Sequence, residues 1–244
     1  MRSLVIIPTY NERENLSRLI LEILAADCEL DVLVVDDGSP DGTGELAESL
    51  ARQTSRVRVI QRGSKQGLAT AYVEGFKYAL AHYYELIIQM DADFSHRPQD
   101  LPRLLRVAED ADVVIGSRNI PGGRTENWSV LRCLVSRGGS LYARTLLELP
   151  IRDCTSGFKC FRREVLESID FDLLRANGFG FQVEVNAFAT RAGFRIVEVP
   201  IVFPDRAAGH SKMSWKIFLE AVTLVWKLRT QQGSSRSAIL QPAS

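Results

Sequence analysis

Cysteine and histidine are scarce in this 244-residue sequence, neither charge is in surplus, and no apolar run is long. The four cysteines (Cys28, Cys133, Cys154, Cys160) form no Cys-x-x-Cys pair, and the three histidines show no metal-ligand spacing. That argues against a zinc site or a disulfide framework and for a reducing compartment. Acids and bases number 30 each, for a formal net charge of zero. Nothing global therefore suggests nucleic acid as a partner, although local basic clusters stay open. Only Leu4 to Ile7 separate Ser3 from Pro8, too short an apolar core for a signal peptide. No run approaches the roughly 20 residues of a spanning helix. The expectation is a soluble or peripheral protein. A Gly-rich dinucleotide fingerprint and a Gly-Lys-Ser/Thr phosphate loop are also missing, so a nucleotide would be held by side chains, carboxylates and a metal.

What is present is an ordinary globular composition, 45% hydrophobic and 25% charged, enough for one large α/β domain, with two small ones as the alternative. Strand patterns over Ser3 to Pro8, Asp31 to Val35, Val57 to Gln61 and Leu86 to Met90 alternate with amphipathic helical patterns. This is the signature of βαβ units and a mostly parallel sheet with helices on both faces. Past Asp93 the pattern predicts a helix from Pro98 to near Asp110 and a strand over Asp112 to Gly116. Gly138-Gly139 is expected to interrupt any single helix between Arg124 and Glu148. A short strand around Phe158 to Phe161, a helix from about Phe181 to Arg191 and an extended Arg195 to Phe203 follow. Residues 1–230 read as one domain, and the polar, patternless 231–244 as a disordered tail.

Three loops leave predicted strand ends: Thr9 to Glu12, Asp36 to Asp41, and Asp91 to His96. In an open parallel sheet such loops line one crevice. Asp91 and Asp93 close a buried strand one residue apart; if the chain stays extended, both address one hard cation, and otherwise they are an acidic turn. Asp37 is open to two readings, an acceptor from a base or ribose and a turn former.

Ile7-Pro8-Thr9-Tyr10-Asn11-Glu12, Val35-Asp36-Asp37-Gly38-Ser39-Pro40-Asp41-Gly42-Thr43 and Met90-Asp91-Ala92-Asp93-Phe94-Ser95-His96 resemble the three signatures of family 2 glycosyltransferases. The nearer likeness is to the polyprenol-phosphate (dolichol-phosphate) mannose synthases. Gly116-Ser117-Arg118, Arg132 with Ser136-Arg137-Gly138, Thr155-Ser156-Gly157-Phe158, Gly178 to Glu184, and Val199 to Arg206 leading to Ser211-Lys212 carry it on to about Arg229. The resemblance implies a GT-A (Rossmann-like) fold, a nucleotide-sugar donor, a divalent cation (Mg2+ or Mn2+), and transfer with inversion to a polyprenyl or dolichyl phosphate. Pro8, Tyr10, Glu12, Val35, Asp37 and Asp41 would surround the nucleoside. Asp91, Ala92 and Asp93 would meet the diphosphate, the two aspartates as metal ligands. Arg118, Arg132, Ser136 and Arg137 would meet the acceptor phosphate, and Arg206 with Lys212 would close over the donor. Some relatives carry glutamine where Ser95 stands, so a third protein ligand is not implied.

The chemistry suits these residues. A phosphate monoester with second pKa near ~6 is already largely ionised, so no carboxylate base is required. Cation density is needed at both ends, a metal on the leaving diphosphate and guanidinium forks on the acceptor. His96 and His210 read as phosphate donors or as structural groups. Ser214 to Arg229 places Lys216, Glu220, Thr223 and Lys227 on one narrow stripe of an otherwise apolar helix. That predicts a helix lying in a membrane interface with Trp215 and Trp226 as anchors, or docking to a small membrane-spanning partner; packing on the sheet is the alternative. The expected location is peripheral, on the cytoplasmic side of a membrane. Three functions follow: mannose transfer from GDP-mannose, the same transfer from another donor such as UDP-glucose, and a non-catalytic nucleotide-sugar-binding subunit.

Overall fold

The computed structural model describes residues 1–27, 29–174, 176, 178–205, 223 and 225–230. The strands are β1 (Ser3–Thr9), β2 (Leu30–Asp36), β3 (Val57–Gln61), β4 (Leu86–Gln89), β5 (Val113–Ser117), β6 (Arg124–Thr125), β7 (Lys159–Arg162), β8 (Ile196–Pro200) and β9 (Val202–Phe203). The α-helices are α1 (Arg13–Ala26), α2 (Thr43–Gln53), α3 (Leu68–Ala81), α4 (Leu101–Val107), α5 (Val130–Leu147), α6 (Arg163–Glu167) and α7 (Phe179–Arg191). Seven strands form one sheet in the order β3-β2-β1-β4-β7-β5-β8. Neighbours are parallel except at β7, which runs antiparallel to both β4 and β5. β6 and β9 pair as a separate two-stranded ribbon.

Side chains alternate between the two sheet faces with the period of two that extended chain imposes. Leu4, Ile6, Leu33, Val35 and Ile87 pack with Tyr72 and Phe76 of α3, Ala143 and Leu147 of α5, and Phe181 of α7. Val5, Ile7, Val32, Val34 and Ile88 pack with Leu16 and Leu19 of α1 and Leu101 and Leu104 of α4. Each such burial contributes roughly 1.5–3 kcal/mol, and strands covered on both faces have to be apolar throughout. Because β1, β2, β4 and β5 run the same way, the loops after them gather at one edge. The Asp37 N–H, just past β2, donates to the Thr9 carbonyl at the end of β1, at 2.9 Å.

Three expectations change. Gly138-Gly139 does not interrupt α5, which runs unbroken for 18 residues. Each glycine costs about 1 kcal/mol in a helix, but Ser129 caps the N-terminus by accepting the Arg132 N–H, Glu148 closes the end in the left-handed region, and Ser140, Ala143 and Leu147 are buried. β4 stops at Gln89, two residues before Asp91, so the acidic pair does not lie on extended chain. The helix after Pro98 is a 3-10 turn, Pro98–Asp100, followed by α4, which ends at Val107. Of the C-terminal helix, residues 214–222 and 224 lie outside the described residues, as does 231–244. Its described end joins the core cluster of sheet, α5 and α7 through Val225 and Leu228, with Trp226 59% exposed. Arg191 of α7 donates to the Leu228 carbonyl at 2.9 Å.

Candidate active site

The first two loops are built around carboxylates that gather backbone N–H groups. Asp36 ends β2, 3% exposed; it accepts from the Thr9 hydroxyl at 2.8 Å and from the N–H and hydroxyl of Ser39 at 3.0 and 2.6 Å. Asp37 accepts from the N–H groups of Gln66 and Gly67 at 2.9 and 2.8 Å and pairs with Arg62 at 3.0 Å. Its carboxylate thus ties the β2 end to the N-terminus of α3. Asp41 accepts from the hydroxyl and N–H of Thr43 and the N–H of Arg13. Burial pushes its carboxyl up, but these bonds more than offset that and hold it below its ordinary range. Thr43 in turn accepts the Glu12 N–H, and the Glu12 carboxylate accepts from Asn15. The Tyr10 ring lies under the Lys65 ammonium at 3.7 Å. Pro8 and Val35 are register partners on β1 and β2, and the fully buried Val35 side chain belongs to the core, so it offers this edge only backbone.

The third loop makes its own turn, with Phe94 at φ 59°. His96, 1% exposed, accepts the Asp91 N–H on Nδ1 at 3.0 Å and stacks on Phe158 at 4.9 Å. Burial lowers its pKa and outweighs the opposing pull of Asp91 and Asp93, so the neutral ring keeps the lone pair that accepts. His96 is therefore a positioning group for the loop. Asp93 Oδ1 accepts from the N–H and hydroxyl of Ser95 at 3.1 and 2.5 Å. Asp91 Oδ1 accepts from the Tyr72 hydroxyl at 3.1 Å. The Tyr72 phenol is raised well above 10, by burial first and by Asp91 next, so it stays a donor. Ala92, 4% exposed, turns into the core cluster of Met90 and Leu101. A Cβ on Gly157 would stand 3.9 Å from Asp91 Oδ1 and 3.6 Å from His96 Cε1, so that glycine leaves room beside the carboxylate. Two hard carboxylates with no sulfur or imidazole donor suit Mg2+ or Mn2+. Among the described residues no group of three or more His, Cys, Asp or Glu assembles, so most of a cation's shell would come from ligand oxygens.

Phe203, edge-on to His96 at 5.4 Å and under Arg118 Cζ at 5.1 Å, leads from this loop to the arginines. Arg118, 5% exposed, follows β5 and closes its fork on Asp153, with Nε to Oδ2 at 2.7 Å and Nη2 to Oδ1 at 2.6 Å, and donates to Thr155 at 2.9 Å. Burial opposes both charges, but each keeps the other ionised, Arg118 raised and Asp153 lowered. The fork expected to grip a phosphate is occupied by Asp153. Arg132 pairs with Asp205 at 2.6 Å and stacks on Trp128 at 3.8 Å. Ser136 lies one helical turn further along α5 on the same side. Arg137 does not join them; it is exposed, about 140° around the helix, beside Val130, Leu134 and Leu141, each more than 60% exposed. Arg206 and Lys212 lie outside the described residues, as does His210.

Sequence reasoning missed Tyr72, Asp153 and Trp128. Asp153 stands two residues before Thr155-Ser156-Gly157, the one signal that could have drawn it in. Tyr72 lies inside an amphipathic helix and carried none.

Parallel strands whose loops carry carboxylates at one edge, with one antiparallel strand between β4 and β5 and the arginines of the β5 end and α5 beyond it, make a GT-A glycosyltransferase. The chain belongs to glycosyl transferase family 2, whose pattern it matches over residues 4–170. It is 46% identical over 241 residues to the undecaprenyl-phosphate mannosyltransferase of Micrococcus luteus, covering 98% of this chain and 99% of that one. To the polyprenol monophosphomannose synthase of Mycolicibacterium smegmatis it is 45% identical, covering 98% and 91%. The dolichol-phosphate mannosyltransferase of Pyrococcus furiosus is 37% identical over 96% of this chain and 65% of its own. Among solved structures, glucosyl-3-phosphoglycerate synthase from Mycobacterium tuberculosis with Mn2+, UDP-glucose and phosphoglyceric acid superposes with a TM-score of 0.68 at 20% identity, covering 93% and 79%. At that identity the likeness concerns the fold.

Proposed function

We propose that this glycosyltransferase moves mannose from GDP-mannose to the phosphate of a polyprenyl monophosphate, with inversion. The observation that carries it is the meeting of two kinds of charge at His96: Nδ1 takes the Asp91 N–H at 3.0 Å, and the ring meets Phe203 edge-on at 5.4 Å, the same Phe203 over which Arg118 Cζ lies at 5.1 Å. Relatives matched over nearly the full length and named for mannose transfer to polyprenyl phosphates support the choice of sugar and acceptor. The first two loops receive the nucleoside, and Asp91 and Asp93 would hold the divalent cation that a diphosphate leaving group needs. When bound, that cation supplies Lewis-acid stabilisation of the leaving group. An acceptor phosphate oxygen forms the new bond to the anomeric carbon as the bond from that carbon to the diphosphate oxygen breaks, and GDP departs with the electron pair. The acceptor arrives ionised, so no proton moves. Arg132 and Ser136 orient it; Arg118, locked to Asp153, contributes field rather than a fork.

Among the described residues no helix is long and apolar enough to cross a membrane. The exposed Val130, Leu131, Leu134 and Leu141 of α5, with Arg137 among them, give a peripheral route to a lipid on the helix that carries Arg132. The test supplies labelled GDP-mannose and labelled UDP-glucose separately, with a polyprenyl phosphate and Mg2+ or Mn2+. Label from GDP-mannose alone should enter the organic phase. Label from UDP-glucose alone would move the reading to a glucose donor, and label from neither would leave a non-catalytic binding subunit.

A further inference from the structure

Trp128 lies between the two arginines of the acceptor side. Its ring is 3.8 Å from Arg132 Cζ and 5.5 Å from Arg118 Cζ. Phe203 meets it edge-on at 5.4 Å and 86°, and the same Phe203 ring meets His96 edge-on at 5.4 Å. A continuous aromatic contact thus joins Arg132 to the residue that holds the Asp91 N–H. The backbone sets the ring there on purpose-built chain: Asn127 turns at φ 61°, and Ser129 immediately caps α5. A loop tryptophan kept for stability alone normally packs its ring into apolar core. Trp128 is part of neither core cluster, and two guanidinium groups lie over it. Its indole N–H is shielded from solvent, yet among the described residues nothing accepts from it. A buried donor left so is destabilising, and a ligand acceptor would satisfy it.

We propose that Trp128 is a positioning and specificity residue for the acceptor. Its π face fixes the Arg132 guanidinium, and its indole N–H donates to an oxygen of a phosphate monoester that carries an apolar chain. The inference rests on the acceptor reading above and adds to it a residue with two separable contributions. The ring orders the arginine by cation–π attraction, and the N–H supplies one further bond to the anion.

The experiment compares Trp128→Phe, which keeps an aromatic face and loses the donor, with Trp128→Leu, which loses both. Steady-state transfer is measured at varied polyprenyl phosphate and varied nucleotide sugar. The acceptor KM should rise several-fold in Trp128→Phe and roughly tenfold or more in Trp128→Leu, with the donor KM unchanged in both. A parallel rise in both KM values, or an unchanged acceptor KM, overturns the proposal. Calorimetric binding of a short-chain prenyl monophosphate, with inorganic phosphate as the control, reads the same question without turnover. Wild-type protein that binds the prenyl phosphate but transfers no sugar to it refutes the proposed function while leaving the two variants to decide the role of Trp128. Prenyl phosphate binding equal in all three proteins, or absent from the wild type, refutes Trp128.

Discussion

The two sides of the crevice are built on opposite principles. On the side of β1, β2 and β4 the charges are carboxylates, and most of their partners are neutral: backbone N–H groups and the hydroxyls of Thr9, Ser39, Thr43, Tyr72 and Ser95. On the side of β5 and α5 the charges are guanidiniums held by other ions and by rings: Arg118 by Asp153, Arg132 by Asp205 and Trp128. Neutral donors leave a carboxylate its full negative charge, so the first side keeps its pull on a cation. An ion pair cancels most of the charge it holds, so the second side presents a weaker, shaped field and depends on its pairs for stability. The first side should therefore lose chemistry when mutated, and the buried Arg118–Asp153 pair of the second should lose folding free energy.

The largest test of that contrast is Asp153→Asn. Asp153 is fully buried and accepts three bonds from Arg118; removing its charge leaves a guanidinium enclosed without a counter-ion. Breaking a buried pair from one end costs about 3–5 kcal/mol. Urea unfolding should show a loss of that size, with nucleotide-sugar affinity unchanged well below the unfolding midpoint. A loss under about 1 kcal/mol would mean that Arg118 does not need Asp153, and the contrast would collapse.

Asp91→Asn probes the other side. An asparagine oxygen can still accept from the Tyr72 hydroxyl, so stability should stay within about 1 kcal/mol. Transfer should fall on the order of 10^2–10^3-fold, the few kcal/mol that charge at a leaving group supplies. Unfolding curves and initial rates at saturating Mg2+ or Mn2+ read the two halves of that statement. A stability loss as large as that of Asp153→Asn would show both sides to be structural.

The same difference explains what could be read from the chain beforehand. The acidic loops were legible because their residues are neighbours in sequence and stand at the ends of apolar strands. The pattern over Val57 to Gln61 predicts β3 with the bounds it has. The arginines were legible as residues but not as pairs, since Asp153 lies 35 positions from Arg118 and Asp205 lies 73 from Arg132. No local pattern reports partners that distant. Gly138-Gly139 misled because helix propensity is local, whereas the buried side of α5 is set by the sheet it covers. Arg137 misled because adjacent residues on a helix point about 100° apart: Ser136 turns to the arginine side, Arg137 to the exposed leucines.

The seam between the two sides gives the last prediction. β7 is the strand that joins β4 to β5, and Lys159 on it is the register partner of Gln89 on one side and Ile115 on the other. Its ammonium, 0% exposed, donates to the Gln182 carbonyl at 3.1 Å. Burial pulls its pKa down to about 7, against smaller upward pulls from Cys154 and Asp153, whereas in the unfolded chain it sits near 10.4. Between those values the unfolded chain holds a proton that the folded chain has shed. Stability therefore rises with pH through that window, by up to about 1.4 kcal/mol per unit, and is flat in this term below it. Lys159→Met removes the group and with it this slope. Urea unfolding of both proteins at pH 7, 8 and 9 should show the difference moving in favour of the wild type as pH rises. A constant difference would mean that Lys159 stays charged in the fold, held by the Asp153 field, and that the electrostatics of the arginine side reach across the seam toward β4.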